Sequence, residues 1–177
     1  MRYQLANGSW IDTDDPGEPG YATRAPRQSV TLDEAAILTA LASGKYCLEI
    51  GTGLAVSTRA LAAKAEHVMT VDPDPWVQQT IWPALSGLSN VSVWTELPRS
   101  LHRADLAFID GNHVAGSVRA DLARVFPLMD KDGLIVLHDI KSPVVYAVAR
   151  EIGSVFVLDT EHGLGLLFVA SILREKR

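Results

Sequence analysis

Glu49-Ile50-Gly51-Thr52-Gly53-Leu54-Ala55 joins a short apolar run, Tyr46 to Ile50, to a helix-like one, Leu54 to Lys64. The apolar run ends in glycines and shows no alternation, as a strand buried on both faces does. Glycines allow a tight turn and let a ligand approach the backbone, while a helix start offers free N–H groups. A second strand-like run, His67 to Val71, is followed by Asp72. An acid at that place can accept both hydroxyl protons of a ribose. Loop and acid together indicate a cofactor that contains a nucleoside. A dinucleotide fingerprint needs glycine at the sixth position of the loop, and that position is Val56. Glu49 at the mouth would repel a pyrophosphate and suits a ligand carrying an ammonium and a sulfonium.

Outward from this loop the chain alternates between strand and helix. Thr31 and Glu34 form a capping box before an apolar helical face of Ala35, Leu38, Leu41 and Ala42, and Gly44 stops that helix. Pro75 to Leu85 is helix-like but contains Pro83, which bends or ends it. Val91 to Trp94 and Asp105 to Asp110 read as strands. Val118, Leu122 and Val125 form one side of an amphipathic helix, with Arg119, Asp121 and Arg124 on the other. Gly133 introduces a strand from Leu134 to Leu137, and Ser142-Pro143 opens a helix that Gly153 closes. Two strands follow, Val155 to Leu158 and Leu166 to Ala170, joined by a turn at Glu161, His162 and Gly163. The expectation is an α/β fold: a doubly wound, Rossmann-like, mostly parallel sheet with helices on both faces and an antiparallel C-terminal hairpin.

Residues 1–30 read differently, as an irregular N-terminal arm ahead of a single domain over 31–177. Asn7-Gly8 is a short hairpin signal, and Asp14, Asp15, Pro16, Gly17, Glu18, Pro19 and Gly20 then crowd together where no regular element can run. Tyr3 and Trp10 need burial, on the domain or on a second copy, so the arm is a candidate for homodimer formation. With 177 residues, 47% of them apolar, the chain fits one core. A net charge of −5 gives phosphate backbones and anionic lipid little to hold, so neither nucleic acid nor a membrane is the expected partner. One cysteine, Cys47, excludes an internal disulfide framework and a cysteine-based zinc cluster. Without a signal-peptide pattern at its start, the chain is expected to be cytoplasmic.

Three stretches carry a family likeness. Glu49 to Ala55 resembles the first motif of class I S-adenosylmethionine-dependent methyltransferases, with alanine in the third glycine position. Val71-Asp72-Pro73-Asp74 is similar to their acidic second motif. Phe108-Ile109-Asp110-Gly111-Asn112-His113, followed by Gly133-Leu134-Ile135-Val136-Leu137-His138-Asp139, resembles a branch of small O-methyltransferases that includes macrolide-sugar and catechol O-methyltransferases. Gly163-Leu164-Gly165 fits the same branch. The resemblance implies that Gly51, Thr52 and Gly53 pass under the methionine part of S-adenosylmethionine, with Glu49 near its amino group. It also implies that Asp72 holds the ribose and that Asp110 lies beside the methionine end. In metal-dependent relatives, acids at the positions of Asp110 and Asp139 bind Mg²⁺.

Ligands of open α/β sheets sit outside the carboxyl ends of the strands, where Asp110, His138 and Asp139 all fall. Two carboxylates there repel each other unless a hard cation such as Mg²⁺ relieves them, and that cation could also lower the pKa of a bound hydroxyl. Alternatively, Asp139 caps the following turn and His138 is a satisfied buried histidine. His113 is a candidate general base, or else a residue that holds its loop. The expected function is S-adenosylmethionine-dependent methylation of a small-molecule hydroxyl, with a non-catalytic cofactor-binding module as the alternative. Cys47 reads as core, His67, His102 and His162 as surface or turn residues, and Trp76, Trp82 and Trp94 as packing, with Trp76 able to border the cofactor.

Overall fold

The computed structural model describes residues 2–4, 10–12, 30–98 and 103–175. Seven strands form the main sheet: β3 (Tyr46–Ile50), β4 (His67–Val71), β5 (Val91–Trp94), β6 (Ala104–Ile109), β7 (Met129–Leu137), β8 (Phe156–Leu158) and β9 (Leu164–Phe168). Their order is β5-β4-β3-β6-β7-β9-β8. The first five are mutually parallel, while β9 runs antiparallel to both β7 and β8. The C-terminal hairpin expected from sequence is therefore present, and its second strand is the inner one. Strand order reverses at β3, which places the glycine loop at a switch point of the sheet, where such folds bind ligands.

Helices α1 (Leu32–Leu41) and α2 (Val56–Ala62) pack on one face around Leu38, Ala42, Leu61 and Phe108. Helices α3 (Ala115–Val125), α4 (Pro143–Ile152) and α5 (Val169–Glu175) supply Val118, Leu122, Val145, Val148 and Ile172 to the other. Each fully buried leucine of this kind contributes about 1.5–3 kcal/mol. Apolar runs predicted β3, β4 and β5 with these same bounds. Among the described residues no helix is long and apolar enough to cross a membrane.

Several boundaries differ from the expectation, each for a local reason. Helix α2 begins at Val56 because Ala55 adopts a left-handed conformation (φ 61°) that ends the loop. The stretch from Pro75 becomes a wide π-type turn, Val77–Ile81, followed by a 3₁₀ turn, Trp82–Leu85, since Pro83 has no N–H to continue a helical ladder. Strand β7 starts at Met129, which pairs with Ala104 before a register shift that Gly133 accommodates: a Cβ there would crowd the Asp130 carbonyl. The last strand ends at Phe168 and α5 follows directly, an element the periodicity did not reveal.

At the N-terminus, β1 (Arg2–Gln4) and β2 (Trp10–Asp12) pair antiparallel, with Tyr3 opposite Ile11, as the Asn7-Gly8 signal implies. The irregular cluster from Asp14 to Gly20, the packing of Tyr3 and Trp10, and His102 lie outside the described residues or side chains.

Candidate active site

A cavity of about 990 Å³ opens at the carboxyl ends of β3, β4, β6 and β7. One side of it is backbone. Gly51 has φ +95°, and a Cβ there would run into the carbonyl of Asp110, so the loop after β3 and the end of β6 touch only because this residue is glycine. Gly53 (φ +48°) donates its N–H to Asp72 Oδ2 at 3.1 Å, and Asp74 N donates to Asp72 Oδ1 at 2.9 Å. Burial raises the Asp72 carboxyl, against these backbone hydrogen bonds. Thr52 turns its hydroxyl inward to Thr70 Oγ1, 2.7 Å away, and leaves its backbone on the cavity wall.

Glu49 stands behind this wall and does not line it. It is wholly buried, accepts a 2.5 Å hydrogen bond from Thr58 Oγ1, and has no partner for Oε1 among the described residues. Burial pushes its carboxyl up to about 7, against hydroxyl groups that favour the charged form.

The opposite side is made of side chains. Asp110 follows β6, and Asp139 follows β7 with φ +52°, a left-handed backbone that Asp tolerates better than most residues. Its loop is held from the β8–β9 turn, where Gly163 O accepts from Ile140 N and His162 O from Lys141 N. A Cβ at Gly163 or Gly165 would clash with Ile140, so the Gly163-Leu164-Gly165 motif makes room for that loop. His113, exposed on the wall, brings Nε2 to 3.5 Å from Asp110 Oδ1 and 3.3 Å from Asp139 Oδ2. The hydrogen bond to Asp110 raises the His113 imidazole above its ordinary 6.5.

His138 approaches the same two carboxylates from within the protein. Its Nδ1 is 3.1 Å from Asp110 Oδ1 and 3.2 Å from Asp139 Oδ2, and its Nε2 is 3.2 Å from Glu34 Oε2. Carboxylates only accept hydrogen bonds, so both ring nitrogens donate and the ring is cationic. Burial alone would lower its pKa, but these acids push it up to about 11. Burial would likewise raise Asp110, yet the hydrogen bonds from His113 and His138 hold it below the usual carboxylate range. His138 is thus the satisfied buried histidine of the two sequence alternatives, and it relieves part of the repulsion between Asp110 and Asp139.

The structure brings together Gly51, Thr52, Gly53, Asp72, Asp110, His113 and Asp139 on one cavity. Some of the other expectations hold and some are corrected. Asp121 and Arg124 do lie on the polar side of α3, and that side also lines the cavity, because α3 starts beside the Asp110 loop. Trp76 packs with Ala55, Val77 and Ile81 and does not border the cavity, and Trp94 is exposed. His162 has a partner, Glu34, and His67 bonds to Ser92 Oγ across neighbouring strands. Cys47 is core, with burial pushing its thiol up to about 12. Glu34 does not line the cavity, but its carboxylate reaches His138 and His162, a contact that its sequence signal, the capping box, does not announce.

Among solved structures the chain is similar to an O-methyltransferase from Bacillus cereus in complex with SAH (20% identity, 82% of this chain and 84% of that one, TM-score 0.69). It is equally similar to a putative O-methyltransferase from Klebsiella pneumoniae (19%, 90% and 93%, TM-score 0.69). The O-methyltransferase TomG from Streptomyces achromogenes, involved in tomaymycin synthesis and solved with SAM, matches at 16% identity over 81% of this chain and 82% of its own, with a TM-score of 0.67. At these identities the likeness establishes a common fold. No curated protein matches the chain. A family model described as a methyltransferase domain matches residues 48–140, the stretch that runs from the glycine loop through Asp72 and Asp110 to Asp139. Covering more than half of the chain and most of the cavity wall, that match makes this protein a member of the methyltransferase domain family.

Proposed function

We propose that the chain transfers a methyl group from S-adenosylmethionine to a hydroxyl of a small molecule. One observation carries the reading: a single cavity has a glycine loop braced by an acid on one side and His113 with two carboxylates on the other. S-adenosylmethionine supplies a methyl group on a sulfonium, a good electrophile that needs little beyond proximity and orientation. Gly51 lets the loop close against the end of β6, Gly53 leaves open space beside the backbone along which such a ligand lies, and Asp72 offers its carboxylate to the ribose hydroxyls. The buried, unpaired Oε1 of Glu49 sits behind this cradle and favours a cationic ligand in it. The fit to the cofactor is good.

On the acceptor side, His113 takes the proton from the hydroxyl as it becomes the nucleophile. Asp110 and Asp139 orient that imidazole and stabilise the charge it gains. The same two acids fit a divalent cation, because Mg²⁺ takes one or two carboxylates and completes its shell with water and substrate oxygens. Bound there, Mg²⁺ would lower the pKa of the acceptor hydroxyl. The imidazole of His113 suits transition metals better than Mg²⁺, which leaves it to the base role.

Calorimetry with S-adenosylhomocysteine, and methyl transfer from the labelled cofactor to catechols, phenols and sugar hydroxyls, test the reading. Binding together with transfer supports it. Binding without transfer to any of them favours a non-catalytic module, and absence of binding overturns it. Turnover that a chelator abolishes and Mg²⁺ restores assigns the cation to the acid pair.

A further inference from the structure

The capping box ordinarily works at a helix start near solvent, where its glutamate satisfies one backbone N–H. Glu34 does this with Oε2, which accepts from Thr31 N at 2.8 Å. Yet Glu34 is entirely buried and has four further donors. His138 Nε2 and His162 Nδ1 each lie 3.2 Å from Oε2, while Thr160 Oγ1 and His162 N lie 2.7 and 3.1 Å from Oε1. These come from residues 104, 126 and 128 positions away. Helix capping needs none of them. A buried carboxylate with this many donors stays charged at little cost, and it holds the ring of His138 from the side opposite the cavity. Without it the ring would keep only its hydrogen bonds at Nδ1. Phe108 meets it edge-on, at 6.0 Å between centroids, and His162 at a tilt, at 5.1 Å, and neither contact replaces the hydrogen bond at Nε2.

We infer that Glu34 is a positioning residue for methyl transfer, one that acts through His138 to fix the Asp110 and Asp139 carboxylates on the acceptor side of the cavity. This rests on the function proposed above. It joins the start of α1 and the β8–β9 turn, neither of which lines the reaction centre, to the two acids that face it. Glu34, His138 and His162 are also close enough to hold a metal ion, but the five donors already satisfy the carboxylate without one.

The test uses the full chain and the acceptor found among the catechols, phenols and sugar hydroxyls. Glu34→Gln should keep S-adenosylhomocysteine affinity within about twofold while kcat falls roughly 10- to 100-fold, the usual effect of removing a residue that orients a functional side chain. His138→Asn retains a donor in the place of Nδ1 and loses the link to Glu34, so it should show a similar fall. The double variant should fall no further than either single one, because both remove the same link. Thr160→Val removes another Glu34 bond on the turn side and should lower Tm without changing kcat. Additive losses in the double variant, or a kcat loss in Thr160→Val matching that of Glu34→Gln, would mean a structural clasp and overturn the inference. Stoichiometric zinc that Glu34→Gln releases overturns it too. Should Glu34→Gln not fold, His138→Asn decides: wild-type kcat refutes the inference, and a 10- to 100-fold loss at wild-type cofactor affinity supports it. A wild type that binds no S-adenosylhomocysteine, or binds it and methylates none of the acceptors, fails at the proposed function itself, and the inference falls with it.

Discussion

The two sides of the cavity are built in different ways. The cofactor side is a backbone construction: Gly51, Gly53 and Ala55 take left-handed dihedrals, and one carboxylate, Asp72, braces the loop from 19 residues away. The acceptor side is a side-chain construction. There Asp110 meets His138 across 28 residues and His138 meets Glu34 across 104. A backbone cradle depends on a few residues that are close together in sequence, whereas a buried polar relay depends on which elements the whole fold brings together. The first should therefore break through local geometry and the second through chemistry.

The largest expected effect lies on the acceptor side. His113→Ala should lower kcat about 10²–10⁴-fold, the contribution of one positioned acid–base group, with cofactor affinity unchanged. The base works only when neutral, and Asp110 raises its pKa above 6.5. The rate should accordingly be low at acid pH and rise through a midpoint above 6.5, and that limb should vanish in the variant. A wild-type profile flat from pH 6 to 9 would remove His113 from the mechanism. Gly51→Ala comes next. A methyl group there meets the Asp110 carbonyl at a φ that alanine resists, so the variant should lose roughly 3 kcal/mol or more in urea unfolding. Because Gly51 is where the two sides touch, this is the one cofactor-side change that should also impair turnover at saturating cofactor.

That contrast also explains how much could be read from the sequence. Glycines after an apolar run and an acid after the next run are local patterns, and they located Gly51, Gly53 and Asp72 as well as the bounds of β3, β4 and β5. Asp110, His113 and Asp139 were found as residues just beyond strand ends. Glu34 was not, because its local pattern already had a sufficient explanation in capping, and nothing nearby shows that the far end of the chain arrives to bury it. His162 reads as a turn residue because its partner, Glu34, lies 128 residues away. Asp121 and Arg124 show a different limit: helical periodicity separates an apolar face from a polar one but does not tell a solvent-facing polar residue from one lining a cavity. Residues 95–97 on the cavity wall had no signal of their own beyond following β5.

Glu49 offers a pH test of the cofactor side. Burial raises its carboxyl from 4.5 to about 7, so the folded chain holds a proton that the unfolded chain has released across that interval. Stability from this group is therefore greatest below pH 4.5 and falls as pH rises toward 7, by at most about 3 kcal/mol. Glu49→Gln, which carries no charge at any pH, should be more stable than the wild type at pH 8 and should lose that advantage at pH 5. It should also bind S-adenosylhomocysteine more weakly if the charge favours the ligand's ammonium. An unfolding free-energy difference between the two proteins that stays constant from pH 5 to 8 would mean that Glu49 titrates normally. Asp72→Ala should then weaken S-adenosylhomocysteine binding by about 1.5–3 kcal/mol through loss of charged hydrogen bonds. Asp72 also accepts from Gly53 N, so part of that loss should appear as a lower Tm of the ligand-free protein.

The smallest effect belongs to Ala55, the mirror image of Gly51 in the same loop. Ala55 is left-handed at φ 61°, which costs a non-glycine residue about 1–2 kcal/mol. Replacing it by glycine relieves that strain. Against this stand the buried methyl group, worth about 0.8 kcal/mol, and about 0.4–1 kcal/mol of added freedom in the unfolded chain. These nearly cancel, so Ala55→Gly should change stability by less than about 1 kcal/mol, where Gly51→Ala costs several times more. The difference isolates what a cradle requires. Dihedral preference alone acts at Ala55, whereas at Gly51 it is joined by contact with a second strand end. A loss above about 2 kcal/mol in Ala55→Gly, measured in urea, would show that the methyl packing against Val77 and Ile81 holds the loop more than its backbone does.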